Sequence, residues 1–122
     1  MLEFRAAVEN RDLARMEAAL SPDVVFRSPV VFKPYEGREA VMHLLGTVIQ
    51  VFEDFEYTDE LAGEGTHALI FRARVGERIV EGLDHLTLDA EGLVTQLVVM
   101  VRPMSGLMAL AEAMAERLGA PS

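Results

Sequence analysis

Apolar residues recur at three- and four-residue intervals in three parts of the chain, which is the period of a helix with one buried face. The clearest case runs from Arg38 to Phe52, where the apolar positions fall at i, i+3, i+4, i+7, i+8 and i+11: Val41, Leu44, Leu45, Val48, Ile49 and Phe52. A second helical stretch spans residues 2–20 and is expected to break at residues 10–12, so that Asp12 caps the helix that follows. A third helix is predicted after Pro103, with Ser105 as its cap.

Shorter apolar runs bounded by glycine and proline indicate strands. The first covers Val24–Ser28 and ends at Pro29, and the next segment, Val30–Gly37, is expected to be a loop. Four more strands fill the second half of the chain, separated by short glycine-containing turns: Phe55–Ala62, His67–Val75, Ile79–Leu88 and Leu93–Arg102. Such tight connections join antiparallel neighbours. The pattern therefore predicts a single α+β domain over residues 1–122, with helices before the antiparallel sheet and one more helix after it.

The turn at Gly76-Glu77 determines which side chains of its hairpin share a face. With a two- or four-residue loop, paired positions have residue numbers that sum to 153, so Asp84 lies opposite Leu69. Arg72 then lies opposite Glu81 on the other face, a favourable charge pair that supports this register. Apart from Asp84, the inward face is apolar. Because burial disfavours a charged carboxylate, we expect Asp84 to have a pKa above the ordinary range and to be the centre of any site.

The charge of the chain excludes one large class of partner. Its 122 residues include 20 acidic and 11 basic side chains, a formal net charge of −9, and the basic residues are scattered singly. Phosphate backbones and anionic membranes repel such a chain, so neither nucleic acid nor a membrane is an expected partner. The absence of long apolar runs, of a signal-peptide pattern and of cysteine favours a cytoplasmic protein. The three histidines show no metal-ligand spacing, so no metal site is predicted.

Four short motifs stand between the first two helices, on the first strand, at the start of the third helix and on the late strands: Asn10–Leu13, Asp23–Pro29, Gly37–Ala40 and Leu83–Gly92. With the order of the elements, they resemble the nuclear transport factor 2-like superfamily, and within it the SnoaL-like and ketosteroid-isomerase-like proteins. The resemblance implies a cone-shaped, strongly curved, mostly antiparallel sheet wrapped around N-terminal helices, with a pocket between them. It also implies a homodimer packed through the outer face of the sheet.

The resemblance carries over only one of the three groups that the isomerase branch uses. The position of its catalytic base is matched by Ser28, and that of its oxyanion-binding tyrosine by Phe4. The second oxyanion-hole acid is matched by Asp84, the type of neutral carboxylic acid that the isomerases exemplify. Steroid isomerisation by that mechanism is therefore not expected. The acid–arginine–acid relay of the epoxide-hydrolase branch is also absent, because Gly82 stands where its arginine would be.

The residues that the register and the resemblance direct towards the pocket are apolar, aromatic or small: Phe4, Phe26, Ser28, Tyr35, Leu69, Phe71, Leu86, Leu97, Val99 and Val101. Three functions fit them. The first is binding of a small, largely apolar molecule around Asp84 without cofactor or metal. The second is a cofactor-independent isomerase, cyclase or hydrolase that uses Asp84 as acid or base. The third is a non-catalytic dimerisation module whose pocket is filled by side chains. For Asp84 itself, the structural alternative is that it caps a helix N-terminus or hydrogen-bonds a loop.

Two further expectations concern surfaces. The outer face of the sheet is predicted to carry apolar side chains that a partner subunit covers: Ile70, Leu83, Val94 and Val98. The C-terminal helix has an apolar stripe that must dock either across the pocket mouth or on the partner: Leu107, Leu110, Ala111, Met114 and Leu118.

Overall fold

The computed structural model of the protein describes residues 2–119. The helices of this part of the chain are α1 (Glu3–Glu9), α2 (Leu13–Ala18), α3 (Arg38–Val51) and α4 (Met104–Leu118). Its strands are β1 (Leu20–Arg27), β2 (Tyr35–Glu36), β3 (Glu53–Ala62), β4 (Thr66–Val75), β5 (Arg78–Leu88) and β6 (Val94–Arg102). As predicted, Asp12 caps α2, where its Oδ1 accepts a hydrogen bond of 3.1 Å from the backbone N–H of Arg15.

The strands form one open sheet in the order β2-β1-β6-β5-β4-β3. All neighbours are antiparallel except β1 and β6, which run parallel. The register of β4 and β5 is the predicted one: Leu69 lies opposite Asp84, and Arg72 lies opposite Glu81. The ion pair of Glu81, however, is made with Arg102 on β6 and not with Arg72. Register shifts in β1, β3 and β6 are of the kind that bends strands. The predicted α+β fold is confirmed.

The first strand differs from its prediction. It begins at Leu20 instead of Val24 and includes Pro22. Its pairing with β6 is interrupted between Leu20 and Val25, so Pro22 lies where no ladder N–H is needed. The segment predicted as a loop contains β2, in which Tyr35 pairs with Phe26.

Two other predictions of detail were wrong. Val94 does not lie on the outer face: its exposed fraction is 1%. The register of β5 and β6 shifts between Thr87 and Leu88, which pairs Val94 with Leu88 and turns its side chain inwards. Ser105 does not cap α4, because Pro103 occupies the N-cap position and no side chain makes a cap hydrogen bond there.

The C-terminal helix packs against α3 and against β4, β5 and β6. Its first turn lies close to β5: a Cβ atom on Gly106 would stand 2.5 Å from Cγ1 of Val80. Near its other end, Arg117 donates a hydrogen bond of 3.3 Å to the side chain of Gln50 on α3. The apolar stripe of α4 therefore docks on its own chain, with Leu110 fully inside the core.

Candidate active site

A cavity of about 170 Å³ lies between the helices and the concave face of the sheet. Its walls are mostly aromatic and aliphatic, and they come from every layer of the fold. The rings around it are Phe4, Phe26, Phe52, Phe55, Tyr57 and Phe71. The cavity opens to solvent beside Glu9, Arg11 and Val30, which are the exposed residues of its lining. It is therefore an apolar chamber with charged groups at its entrance.

The carboxyl group of Asp84 projects into this chamber from the middle of β5. With an exposed fraction of 8%, it is the only buried charged side chain among residues 2–119. The hydroxyl group of Tyr57 donates a hydrogen bond of 3.1 Å to its Oδ2. No other side chain in the described part of the protein bonds to Asp84, so Oδ1 is left for a molecule in the cavity.

Burial controls the protonation of both groups. Desolvation raises the pKa of Asp84 from 3.8 to about 7, against the weaker, lowering influence of the Tyr57 hydrogen bond. Burial, followed by the nearby charge of Asp84, raises the pKa of Tyr57 well above its ordinary value of 10. Near neutral pH, Tyr57 is thus a protonated donor, and a large fraction of Asp84 is a neutral acid.

Tyr57 is held in place by packing and by one cation. The ring of Phe55 meets it edge-on, with 4.9 Å between the centroids. The guanidinium carbon of Arg5 lies 5.4 Å from the centroid of the Tyr57 ring, within the range of a cation–π contact. Arg5 is itself fixed by ion pairs with Glu9 (3.2 Å) and Glu60 (2.8 Å). The orientation of the tyrosine hydroxyl therefore depends on α1 as well as on the sheet.

Comparison with known proteins decides the family. The sequence profile of the SnoaL-like domain matches residues 1–97, which is well over half of the chain. The protein belongs to the SnoaL-like family.

Solved structures agree with this assignment. This SnoaL-like domain is 46% identical to a steroid delta-isomerase from Pseudomonas aeruginosa, with a TM-score of 0.92 over 96% of this chain and 87% of that one. It is 34% identical to an uncharacterised bacterial protein with a cystatin-like fold from Silicibacter pomeroyi DSS-3, with a TM-score of 0.91 over 97% and 84% of the two chains. A putative SnoaL-like polyketide cyclase from Shewanella denitrificans OS-217 shares the fold alone, at 14% identity and a TM-score of 0.69 over 92% and 93% of the chains. No protein with a curated function matches this sequence.

The SnoaL-like domain brings most of the predicted pocket residues together around Asp84. Those that line the cavity are Phe4, Phe26, Ser28, Phe71, Leu97 and Val99. Leu69 and Leu86, at 0% exposure, belong to the packed core. Tyr35 lies outside the lining, with its ring centroid 6.3 Å from that of Phe26. Val101 is also outside the lining, two residues beyond Val99 on β6.

Sequence reasoning did not find Tyr57. The sequence did contain a signal for Tyr57: Phe55 and Tyr57 are alternate residues of β3 and so share a face, and Tyr57 pairs with Phe71 on β4. Met16 on α2 was also missed, whereas Leu110 and Met114 on α4 belong to the stripe for which docking across the pocket mouth was one of two alternatives. These positions follow from how the helices dock, which strand register does not determine.

The remaining polar groups of the site are engaged locally. The Oγ atom of Ser28, at the position of the isomerase base, accepts a hydrogen bond of 3.0 Å from the backbone N–H of Val30. At the entrance, Arg11 donates a hydrogen bond of 2.8 Å to the carbonyl oxygen of Ile49. Within residues 2–119, no three histidine, aspartate or glutamate side chains group where they could hold a metal ion. None of the helices in the same range is long and apolar enough to cross a membrane.

Proposed function

We propose that this SnoaL-like domain binds a small, largely apolar molecule whose single oxygen function accepts a hydrogen bond from Asp84. The observation that carries this proposal is the combination of one buried acid and an apolar cavity. Oδ2 is occupied by Tyr57, which leaves Oδ1 of the neutral acid as the donor to the ligand.

The chemistry of the cavity favours a neutral oxygen acceptor such as a ketone, an aldehyde or an ester carbonyl. An apolar wall gives affinity through surface burial, and the single donor on Asp84 gives orientation. A carboxylate ligand would add a second negative charge beside a group whose own ionised form is already disfavoured by burial. The chamber is not filled by side chains, which favours a binding role over a purely structural dimerisation module.

The pH dependence of ketone binding tests this proposal. Acetophenone is neutral at all relevant pH values, and its binding can be followed by shifts of backbone amide resonances in NMR spectra. Because only the neutral acid donates, affinity should be constant at low pH and fall as pH rises through about 7. The Asp84→Asn variant keeps an N–H donor and should bind with no such pH dependence.

A matched control is Asp23→Asn, which alters an exposed aspartate of β1 outside the cavity lining. It should reproduce the wild-type profile. If acetophenone does not bind, or if its affinity in the wild type is as flat with pH as in Asp84→Asn, the proposal is wrong.

A second candidate function is isomerisation with Asp84 as both acid and base. It is favoured by the 46% identity to the steroid delta-isomerase and by a pKa of about 7, which suits proton transfer near neutrality. The reaction to assay is conversion of cyclohex-3-enone to its conjugated isomer, followed by ultraviolet absorbance. Activity that disappears in Asp84→Asn and persists in Asp23→Asn supports the enzyme; activity equal in all three proteins contradicts it.

We also propose that the domain forms a homodimer through the outer face of the sheet. That face carries the half-buried side chains of Ile70, Leu83 and Val98 and the exposed side chain of Met100. Apolar surface of this kind generally marks an interface. Sedimentation should give about twice the monomer mass of 13.5 kDa, and a monomer at micromolar concentration would contradict the assignment.

A further inference from the structure

We propose that α4 limits the ligand to about one ring, with Met114 and Leu110 as the residues that determine its size. This inference rests on the proposed binding function and specifies the class of ligand: a monocyclic ketone or a compound of similar shape.

The cavity has room for about one ring. The cavity measures about 170 Å³. An engineered apolar protein cavity of about 150 Å³ holds benzene, whereas sites for drug-sized ligands have about 300–1,000 Å³. The space around Asp84 therefore suits one ring with a short substituent. The fused four-ring body of a steroid is several times larger than benzene and does not fit inside it.

Part of the cavity wall is formed by side chains of α4. Met114 stands one turn beyond Leu110 on α4, so the two side chains share a face of the helix, and both line the cavity. The helix is fixed near each end, by the close approach of Gly106 to Val80 and by the hydrogen bond from Arg117 to Gln50. Because α4 is held near both ends, the wall that these two side chains form has a fixed position in the fold.

On its charged side, formed by Glu9 and Arg11, the entrance opposes projection of an apolar ligand out of the cavity; Val30 is the exposed apolar residue of the lining. The lining that is exposed to solvent includes Glu9 and Arg11. Glu9 is paired with Arg5, and Arg11 donates to the carbonyl oxygen of Ile49. An apolar ligand projecting between them would desolvate charged groups without replacing their hydrogen bonds.

The family match does not determine ligand size, because the matched profile ends at residue 97 and α4 begins at Met104. The alignment with the steroid delta-isomerase covers 96% of this chain and therefore reaches α4, so a difference in ligand size between the two proteins would come from side chains along this helix and not from its presence.

The test compares three ketones of increasing size, acetophenone, 2-acetonaphthone and progesterone, on the full-length protein. Larger apolar ligands ordinarily bind more tightly, because they bury more surface. We expect the reverse order here, with acetophenone binding at least about tenfold more tightly than progesterone, since a well-packed pocket discriminates strongly against added carbon atoms.

Two substitutions at Met114 should shift this order in opposite directions. Met114→Ala widens the cavity and should improve binding of 2-acetonaphthone relative to acetophenone by about tenfold. Met114→Phe narrows it and should weaken binding of 2-acetonaphthone more than that of acetophenone. Met108→Ala is the control, because Met108 lies on the same helix, is 59% exposed and does not line the cavity. Thermal denaturation checks that each variant is folded, and either Met114 variant alone carries the test.

Progesterone binding as tight as that of acetophenone would overturn the size limit while leaving the binding function intact. The same holds if neither Met114 variant changes the ratio of the acetophenone and 2-acetonaphthone affinities. If none of the ketones binds, the proposed function and the size limit are both wrong. If ketones bind in the expected size order but without the pH dependence that Asp84 predicts, the size limit holds and the role of Asp84 is wrong.

Discussion

The Oη atom of Tyr57 donates to Oδ2 of Asp84 across a full strand of the sheet. Tyr57 lies on β3 and Asp84 on β5, and β4 runs between them. The two side chains meet on the concave face at 3.1 Å. The curvature of the sheet brings these two side chains together, and their hydrogen bond joins the edge strand β3 to β5, which carries the acid.

Tyr57→Phe should raise the pKa of Asp84 further, because the hydrogen bond from Tyr57 is the influence that lowers it. The loss of this bond should also lower the free energy of unfolding by about 1 kcal/mol. Tyr35→Phe alters the chain's other tyrosine, which lies outside the cavity, and should change neither quantity. NMR titration and urea unfolding measure the two effects. An Asp84 pKa that falls in Tyr57→Phe would contradict the described hydrogen bond.

Asp84→Asn should change how stability depends on pH. The folded-state pKa of about 7 lies above the ordinary value of 3.8, so the unfolded chain loses its proton first as pH rises. The stability associated with the neutral acid is fully present below the ordinary pKa and is lost progressively up to the folded one. The whole span corresponds to about 4 kcal/mol.

Urea unfolding of the wild type and Asp84→Asn near pH 5 and near pH 8 measures this linkage. Relative to the wild type, the variant should gain roughly 2–3 kcal/mol between the two conditions. The same difference in stability at both pH values would mean that Asp84 is ionised in the folded state.

Gly82→Ala should disturb the cavity wall. A Cβ atom on Gly82 would stand 2.0 Å from Cζ of Phe71, its cross-strand partner. Phe71 would have to leave its place beside Phe55, where their ring centroids are 5.0 Å apart. Overpacking of this kind destabilises by about 1–3 kcal/mol. Gly46→Ala is the matched control: its Cβ meets nothing within 4 Å, and alanine in α3 should stabilise by roughly 0.5–1 kcal/mol. Equal melting temperatures for the two variants would contradict the close packing at Gly82.

Removal of α4 by ending the chain after Pro103 should lower the melting temperature markedly. Leu110 is 3% exposed, and Leu107, Met114 and Leu118 pack against the core. Full burial of such a side chain contributes about 1.5–3 kcal/mol before the loss of conformational entropy, and the partly buried ones contribute less. Thermal denaturation of the truncated chain gives the result, and an unchanged melting temperature would show that the helix is not part of the core.

The position of Asp84 could be predicted from sequence because one short turn determines which residues of both hairpin strands face inwards. Once Gly76-Glu77 is taken as the loop, every side chain on β4 and β5 is assigned to a face. The same reasoning failed at Val94, because the register shift between Thr87 and Leu88 has no signature in the apolar pattern. The single extra residue there reverses the face of Val94, the first residue of β6.

The partner of Asp84 could not be found in the same way. Tyr57 lies two strands away, and the pairing of β3 with β4 is irregular on both sides of it, between Glu53 and Glu56 and between Tyr57 and Asp59. The apolar stripe of α4 predicted that the helix docks, but its destination depends on the shape of the surface that receives it. The local sequence pattern therefore predicted the fold and the position of Asp84, whereas the pairing of Tyr57 with Asp84 and the size of the cavity could be seen only in the tertiary structure.

The central claim is that Asp84 is a neutral hydrogen-bond donor in an apolar cavity, and titration of its carboxyl carbon by ¹³C NMR tests it most directly. The resonance can be assigned from its absence in Asp84→Asn, with Asp23 as an internal exposed reference. We expect an apparent pKa near 7 for Asp84, raised by burial. A value at or below 3.8 would show that the folded protein stabilises the carboxylate, and it would contradict the proposed role of the acid.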